Sequence, residues 1–202
     1  MYISLVREHN RTYDPYQNLN GYHRQIWEMF PGDDMSRDFQ YRIMPDGFYV
    51  MSERVPYNSG RYVMDTKPFS PRLHKGMHLN FMLRFNPTTK NENGRHGIIT
   101  DYCRMARQSD TWAGYEQARN DAVREWFDCH DRLGMRLVEF TVRDCQKLSI
   151  TRSTGSPIIC DVVDIHGTLE VTDSELFLER LRKGFGKEKG FGFGLMLVKR
   201  TV

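Results

Sequence analysis

Ile165-His-Gly-Thr-Leu-Glu-Val-Thr-Asp173, then a short helical stretch, then Gly184-Phe-Gly-Lys-Glu-Lys-Gly-Phe-Gly-Phe-Gly194 and the apolar run Leu195 to Val198: this order decides the fold. Val163, Ile165, Leu169 and Val171 share one parity, the spacing of a strand with one buried face. Asp173 or Thr172 caps a helix through about Arg182, and the last strand follows the glycines. Upstream, residues 136 to 151 and 157 to 171 read as two strands joined by Ser153-Thr-Gly-Ser-Pro157, a turn signal. Before them a long helix runs from about Thr111 to Arg132. Trp112, Tyr115, Ala118, Ala122, Trp126 and Phe127 lie near one face, and Gly134 closes it.

The N-terminal part carries a similar order. Residues 2 to 7 form an apolar strand. From about Asp14 to Phe30, Tyr16, Leu19, Tyr22, Ile26, Trp27 and Phe30 recur at helical spacing, and Pro31-Gly32 stops the helix. Phe39 to Ile43 and Phe48 to Met51 flank Pro45-Asp46-Gly47, which predicts a hairpin. Residues 56 to 76, rich in Pro, Gly and Ser, read as irregular, with no convincing second helix. Leu79, Phe81, Leu83 and Phe85 alternate as a half-buried strand that Asn86-Pro87-Thr88 ends, and residues 87 to 97 read as a linker. Strand, helix, hairpin and strand, then helix, hairpin, helix and strand, predict an α+β chain of tandem ferredoxin-like (RRM-like) domains, 1–88 and 98–202.

With 202 residues and 39% hydrophobic content, the chain can bury one core or two small ones. A net charge of +3 is too mild to mark a nucleic-acid binder, unless the fold gathers the basic residues on one face. Cys103, Cys129, Cys145 and Cys160 are widely spaced and form no C-x-x-C pair, so they read as reduced thiols. The start, Met1 to Arg7, reads as a strand and not as a signal peptide. No apolar run approaches a membrane span. A cytoplasmic location is the expectation.

Three groups of residues could carry chemistry. In 184–194, five glycines in eleven residues let backbone amides approach a phosphate closely, and Lys187 and Lys189 add charge. No Gly-Lys-Ser/Thr opens a helix there, so it is not a P-loop. A flexible loop before the last strand is the plain alternative. If the segment enters that strand extended, Gly186, Gly190, Gly192 and Gly194 would present a bare face to an RNA backbone. His23 sits on the apolar stripe of the first helix. It is either a half-buried core histidine or a general acid or base, since an imidazole moves protons near neutral pH. Arg143, Lys147 and Arg152 sit on the predicted long hairpin, where they form either a solvated face or contacts to an RNA groove. His74, His78 and His130 lack the paired spacing that zinc needs, so no metal site is expected.

Together these segments resemble the CasE family, the repeat-processing endoribonucleases of type I-E CRISPR systems. Met1-Tyr-Ile-Ser-Leu-Val is similar to the family's first strand, and His23-Arg-Gln-Ile-Trp-Glu-Met-Phe-Pro31 resembles its H-x-x-L-W-x-L-F-P helix. Ser36-Arg-Asp-Phe-Gln-Tyr41 resembles its R-D-F segment, and Phe81-Met-Leu-Arg-Phe-Asn-Pro-Thr88 its F-x-L-x-x-N-P-T strand end. Residues 165–173 with 184–195 resemble F-x-G-x-L-x-V-x-D … G-I-G-x-x-K-x-F-G-x-G-L, the most specific of the five. The likeness spans both ends of the chain and is weakest from about 90 to 150.

The resemblance implies tandem ferredoxin-like folds, a CRISPR repeat RNA hairpin as substrate, retention of the mature crRNA beside the other Cascade subunits, and neither metal nor cofactor. It puts the catalytic histidine at His23. The implied chemistry is attack by a ribose 2′-hydroxyl, leaving 5′-hydroxyl and 2′,3′-cyclic phosphate ends. Sequence leaves open which proton His23 moves. Arg24, Lys187 and Lys189 are candidates to stabilise the charged phosphorane. RNA contacts are expected from Arg24, Arg143, Lys147, Arg152, Gly186, Lys187, Lys189, Gly190 and Gly192. Some members carry a tyrosine three residues before the histidine, where this chain has Asn20. That departure keeps a second reading in play, a non-catalytic RNA-binding subunit of the same superfamily.

Overall fold

The chain is built on two four-stranded antiparallel sheets. Its structure is a computed structural model that describes residues 1–202 apart from 9–13, 33–36, 92–93, 108–110, 131, 152–155 and 202, and apart from the side chains of Asn91, Arg95 and Trp112. The first sheet takes β1 (Tyr2–Arg7), β2 (Phe39–Met44), β3 (Gly47–Ser52) and β4 (Val63–Pro68), with α1 (Leu19–Glu28) between β1 and β2. The second takes β5 (His78–Phe85), β8 (Met135–Ile150), β9 (Ile158–Val171) and β10 (Met196–Arg200). Between β5 and β8 come a small hairpin, β6 (Thr88–Asn91) and β7 (Gly94–Gly97), and the helices α2 (Ile98–Ala106) and α3 (Trp112–Asp128). A further helix, α4 (Ser174–Lys183), precedes β10.

The spatial orders are β2-β3-β1-β4 and β10-β5-β9-β8. In each, the unit's last strand lies beside its first, and its third strand lies between the first and the second. That is the ferredoxin-like arrangement, expected from the sequence. Among the described residues the first unit has no second helix. The second is complete, because β5 is its opening strand: it pairs with both β9 and β10.

Three expectations change. The strand at 78–85, read as part of the first unit, is hydrogen-bonded in the second sheet. The first sheet closes instead with β4, inside a stretch read as irregular. Its exposed, charged pattern at the sheet edge carries no apolar alternation for a reader to detect. Residues 87–97, read as a linker, contain the β6–β7 hairpin, and α2 follows at once. Among the described residues no helix is long and apolar enough to cross a membrane.

Each unit has its own core. α1 packs Leu19, Tyr22 and Ile26 on Tyr41, Ile43, Phe48 and Val50. α3 and α4 bring Ala122, Val123, Trp126, Phe127, Phe177 and Leu181 onto Leu79, Phe81, Leu83, Phe85 and Ile165. The long β8–β9 hairpin joins them. Val163, Ile165, Leu169 and Val171 face the second core, whereas Ile158, Cys160 and Val162 belong to the first. Alternation puts these two sets on opposite faces of one strand, so Cys160 to Val163 form an unbroken buried run where the hairpin passes from one core to the other. Bulges at Leu137/Glu139 and Val142/Asp144 bend β8 along the way.

The junction is ionic as well as apolar. Arg42 of β2 and Arg84 of β5 both donate to the carboxylate of Asp164 on β9, at 2.8 and 2.7 Å, and all three side chains are largely buried. Arg84 also donates to the Ile43 carbonyl and lies over the ring of Tyr16, whose hydroxyl donates to Asp144 at 2.7 Å.

Candidate active site

α1 begins at Leu19, behind a turn in which the Asp14 carboxylate accepts from the amides of Tyr16 and Gln17. Its buried stripe leaves the next face, carrying His23 and Trp27, half-buried toward the glycine-rich segment. That spacing of four puts the two side chains over one another. The Trp27 indole N–H donates to His23 Nε2 at 2.9 Å, and His23 Nδ1 lies 2.6 Å from the Gly190 carbonyl oxygen. Phe191 flanks the imidazole at 6.0 Å between ring centroids.

The glycine-rich segment owes its course to its phenylalanines. Phe185 is fully buried in the second core and Phe193 in the first, so the chain between them is stretched across the junction. It is not an extended strand entry. Lys189–Phe191 form one 3-10 turn, and β10 starts only at Met196. Three of the four glycines expected to present a bare face to RNA are required by packing instead. At φ +68° a Cβ on Gly186 would sit 2.4 Å from the Asn86 carbonyl oxygen. On Gly192, at φ +83°, it would sit 2.9 Å from the Tyr41 ring, and on Gly194, at φ +93°, 2.5 Å from the Phe185 carbonyl oxygen. Gly190 differs. Its φ is not positive, and a Cβ there would point at Arg37 Nη1, 3.0 Å away, and His23 Cε1, 3.5 Å away.

A direct expectation follows from that contrast. Gly192→Ala should lower stability by about 2 kcal/mol or more, since left-handed backbone alone costs an L-residue about 1–2 kcal/mol and the Tyr41 ring cannot yield. Gly190→Ala should melt near wild type, because only the flexible end of Arg37 must move, yet it should disturb any activity of His23. Thermal melts of the two variants check this; equal melting temperatures would show that the glycines are interchangeable.

The residues beside His23 that the sequence reading missed are Trp27, Arg37 and Tyr41. Tyr41, from β2, donates its hydroxyl to the same Gly190 carbonyl at 2.9 Å, and burial pushes its pKa well above the ordinary tyrosine value. Arg37 reaches the Gly190 position with its Nη1, and desolvation lowers its pKa from the ordinary guanidinium value against the opposing pull of Tyr41 and Glu188. Helical spacing could have paired Trp27 with His23. Arg37 and Tyr41 lie in the segment 36–41 that carries part of the family resemblance, but nothing local in it assigns either side chain to the site. Asn20, in the register where a tyrosine was sought, donates to the Thr151 carbonyl at the end of β8 at 2.9 Å. Tyr16 is engaged with Asp144, and Tyr22 packs edge-on against Phe48.

The expected RNA-binding residues separate into groups. Lys147 and Lys187 line one cleft of about 380 Å³ with His96, Arg104 and the acidic Asp101, Asp161 and Glu188, the last of them two residues before Gly190 in the chain. Lys189 faces elsewhere. Its ammonium donates to the Lys183 carbonyl at the end of α4 at 2.6 Å, so it caps that helix. Burial, then the nearby Arg180 and Arg37, lower its pKa to about 8. Arg24 is exposed on α1, beside His23 in the chain. Arg143 is exposed on β8 and lines a separate depression with Arg42, Arg84, Asp164 and His166. Arg152 lies outside the described residues.

Comparison with known proteins agrees with this architecture. The model of a family described as CRISPR associated protein matches residues 1–200. The CRISPR-associated endoribonuclease Cse3 of Thermus thermophilus is 26% identical over 136 residues, which is 67% of this chain and 62% of that protein. The match thus spans less than two thirds of that relative's length. The structure of Thermus thermophilus Cse3 bound to an RNA representing a pre-cleavage complex has a TM-score of 0.69 at 21% identity, covering 98% of both chains. The CRISPR-associated protein Cas6e from Escherichia coli K-12 has a TM-score of 0.62 at 19% identity, covering all of both chains. These two structures share the fold.

Proposed function

The chain belongs to the CasE family of CRISPR-associated proteins, and from that premise we propose that it is a metal-independent endoribonuclease that cuts the CRISPR repeat hairpin. It then stays on the mature crRNA as a Cascade subunit. The observation that carries the reading is a half-buried histidine with both ring nitrogens anchored, beside the guanidinium of Arg37 and bonded to a segment whose Lys187, with Lys147, lines a cleft. A core histidine needs no neighbouring cations, whereas a phosphodiester does.

In the reaction, the 2′-oxygen upstream of the scissile phosphate bonds to phosphorus while the bond from phosphorus to the 5′-oxygen breaks. The hydroxyl proton leaves, the departing oxygen gains one, and the products end in a 2′,3′-cyclic phosphate and a 5′-hydroxyl. His23 moves a proton. Arg37 faces the charge that grows on the phosphorane. Lys147 and Lys187 hold the RNA backbone, with Arg24, Arg143 and Arg152 as further contacts. Lys189 serves the loop's shape.

The test is a cleavage assay on a cognate repeat hairpin in excess EDTA, with end-group analysis. Cutting with cyclic phosphate ends supports the proposal. Cutting that needs added magnesium or zinc removes the metal-free mechanism. Tight binding without cutting would make the chain the non-catalytic subunit, and neither binding nor cutting would end the reading. Removing Lys147 or Lys187 should also flatten the dependence of log K on log salt, by about one phosphate contact each. An unchanged slope for both would move the RNA off this cleft.

A further inference from the structure

The two hydrogen bonds on His23 fix more than its position. An indole N–H can only donate and a peptide carbonyl can only accept. Trp27 Nε1 is 2.9 Å from His23 Nε2, and the Gly190 oxygen is 2.6 Å from Nδ1. One arrangement of protons satisfies both contacts: a neutral imidazole with its proton on Nδ1 and its lone pair on Nε2. Nδ1 therefore points into the backbone of the glycine-rich segment, and Nε2, whose lone pair the indole N–H occupies, is the nitrogen that can take a proton once that contact is exchanged.

Resting on the nuclease reading, we propose that Trp27 is a positioning residue for His23. It holds Nε2 proton-free and aimed, as the base for the ribose 2′-hydroxyl, and that hydroxyl takes the indole's place on Nε2 when RNA binds. The hydroxyl proton passes to Nε2, and the 2′-oxygen bonds to phosphorus. The departing 5′-oxygen takes its proton from water, and the imidazolium later returns its own to water.

The geometry requires the second contact. A ring bonded at Nδ1 alone can pivot about that bond, while a donor on the opposite nitrogen removes the pivot. Trp27 can serve because it is itself held. It sits one helical turn from His23, and its ring meets Phe39 edge-on at 5.0 Å, with Phe39 stacked on Phe30 at 4.6 Å. The donor is in place before any RNA arrives, so the histidine is preorganised.

Nitrogen-15 NMR of the full chain, without RNA and well above the ordinary imidazole pKa, tests the assignment. His23 should show the shifts of a single Nδ1–H tautomer, with a scalar coupling across the hydrogen bond from Trp27 Nε1 to His23 Nε2. Trp27→Phe keeps the ring against Phe39 and removes only the donor. It should give averaged tautomer shifts in the RNA-free chain, while single-turnover cutting of a saturating repeat hairpin should stay near the wild-type rate, because there the hydroxyl has already replaced the indole on Nε2. An Nε2–H signature in the wild type overturns the proposal, as does a Trp27→Phe variant with wild-type shifts, or one whose cutting of bound hairpin slows about tenfold or more, which would keep the indole on Nε2 in the reacting complex. If that variant fails to melt cooperatively, the coupling in the wild type decides, and its absence overturns the proposal. A wild type that shows the coupling but cuts no repeat hairpin overturns the nuclease reading, and with it His23's role as base, while the tautomer stands.

Discussion

Replacing His23 with alanine is expected to slow cleavage of a repeat hairpin by about 10²-fold or more, the range of general acid–base contributions, and to change RNA affinity by no more than a few-fold. The fold should survive the change. His23 is only half-buried, and the Gly190 carbonyl that loses its imidazole keeps the Tyr41 hydroxyl as donor. The glycine-rich segment also stays anchored by Phe185 and Phe193, each wholly inside a core. Single-turnover rates and a binding isotherm with uncleavable RNA, measured beside a thermal melt, separate the outcomes. A variant that cuts at the wild-type rate would return His23 to the role of a packing residue. One that unfolds would make its bonds to Gly190 and Trp27 structural.

The largest loss of stability should come from Asp164→Ala. This carboxylate bridges Arg42 and Arg84, whose side chains are 5% and 6% exposed, and its own is 13% exposed. Removing the carboxylate leaves two buried guanidinium groups without their shared counter-charge, and breaking a buried pair costs about 3–5 kcal/mol. For a chain of this size the melting temperature should fall by roughly 10 °C. Asp164→Asn, which keeps a hydrogen-bond acceptor but loses the charge, should fall in between. A melting temperature for Asp164→Ala within about two degrees of wild type would show that solvent and backbone carbonyls already compensate the arginines. The site should feel the change too, since Arg84 supplies the carbonyl that Gly194 N–H donates to at 2.7 Å.

The sequence by itself determined what depends on neighbours in the chain. Apolar residues at helical spacing marked α1, and Phe39 to Met51 around Pro45-Asp46-Gly47 marked the first hairpin. Alternation along 163–171 marked β9, and the order of these elements, with the family resemblance, was enough for two ferredoxin-like units. Sequence likeness also singled out His23 and the glycine-rich segment. Tertiary structure decided what depends on distant pairing. β5 could not be assigned to its sheet, because a strand's alternation names its buried face and not its partners. β4 escaped notice because an exposed edge strand needs no apolar pattern. The glycines looked like a bare surface for RNA until Tyr41, Asn86 and Phe185 were seen to fill the space beside them. The site itself joins His23 to Gly190, 167 residues apart, and Tyr41 to the same carbonyl across 149. Hydrogen bonds act over about 3 Å, whereas sequence patterns report only the few residues of a turn or strand. Which nitrogen of His23 carries the proton could therefore be read only after folding had brought an indole and a carbonyl to opposite sides of its ring.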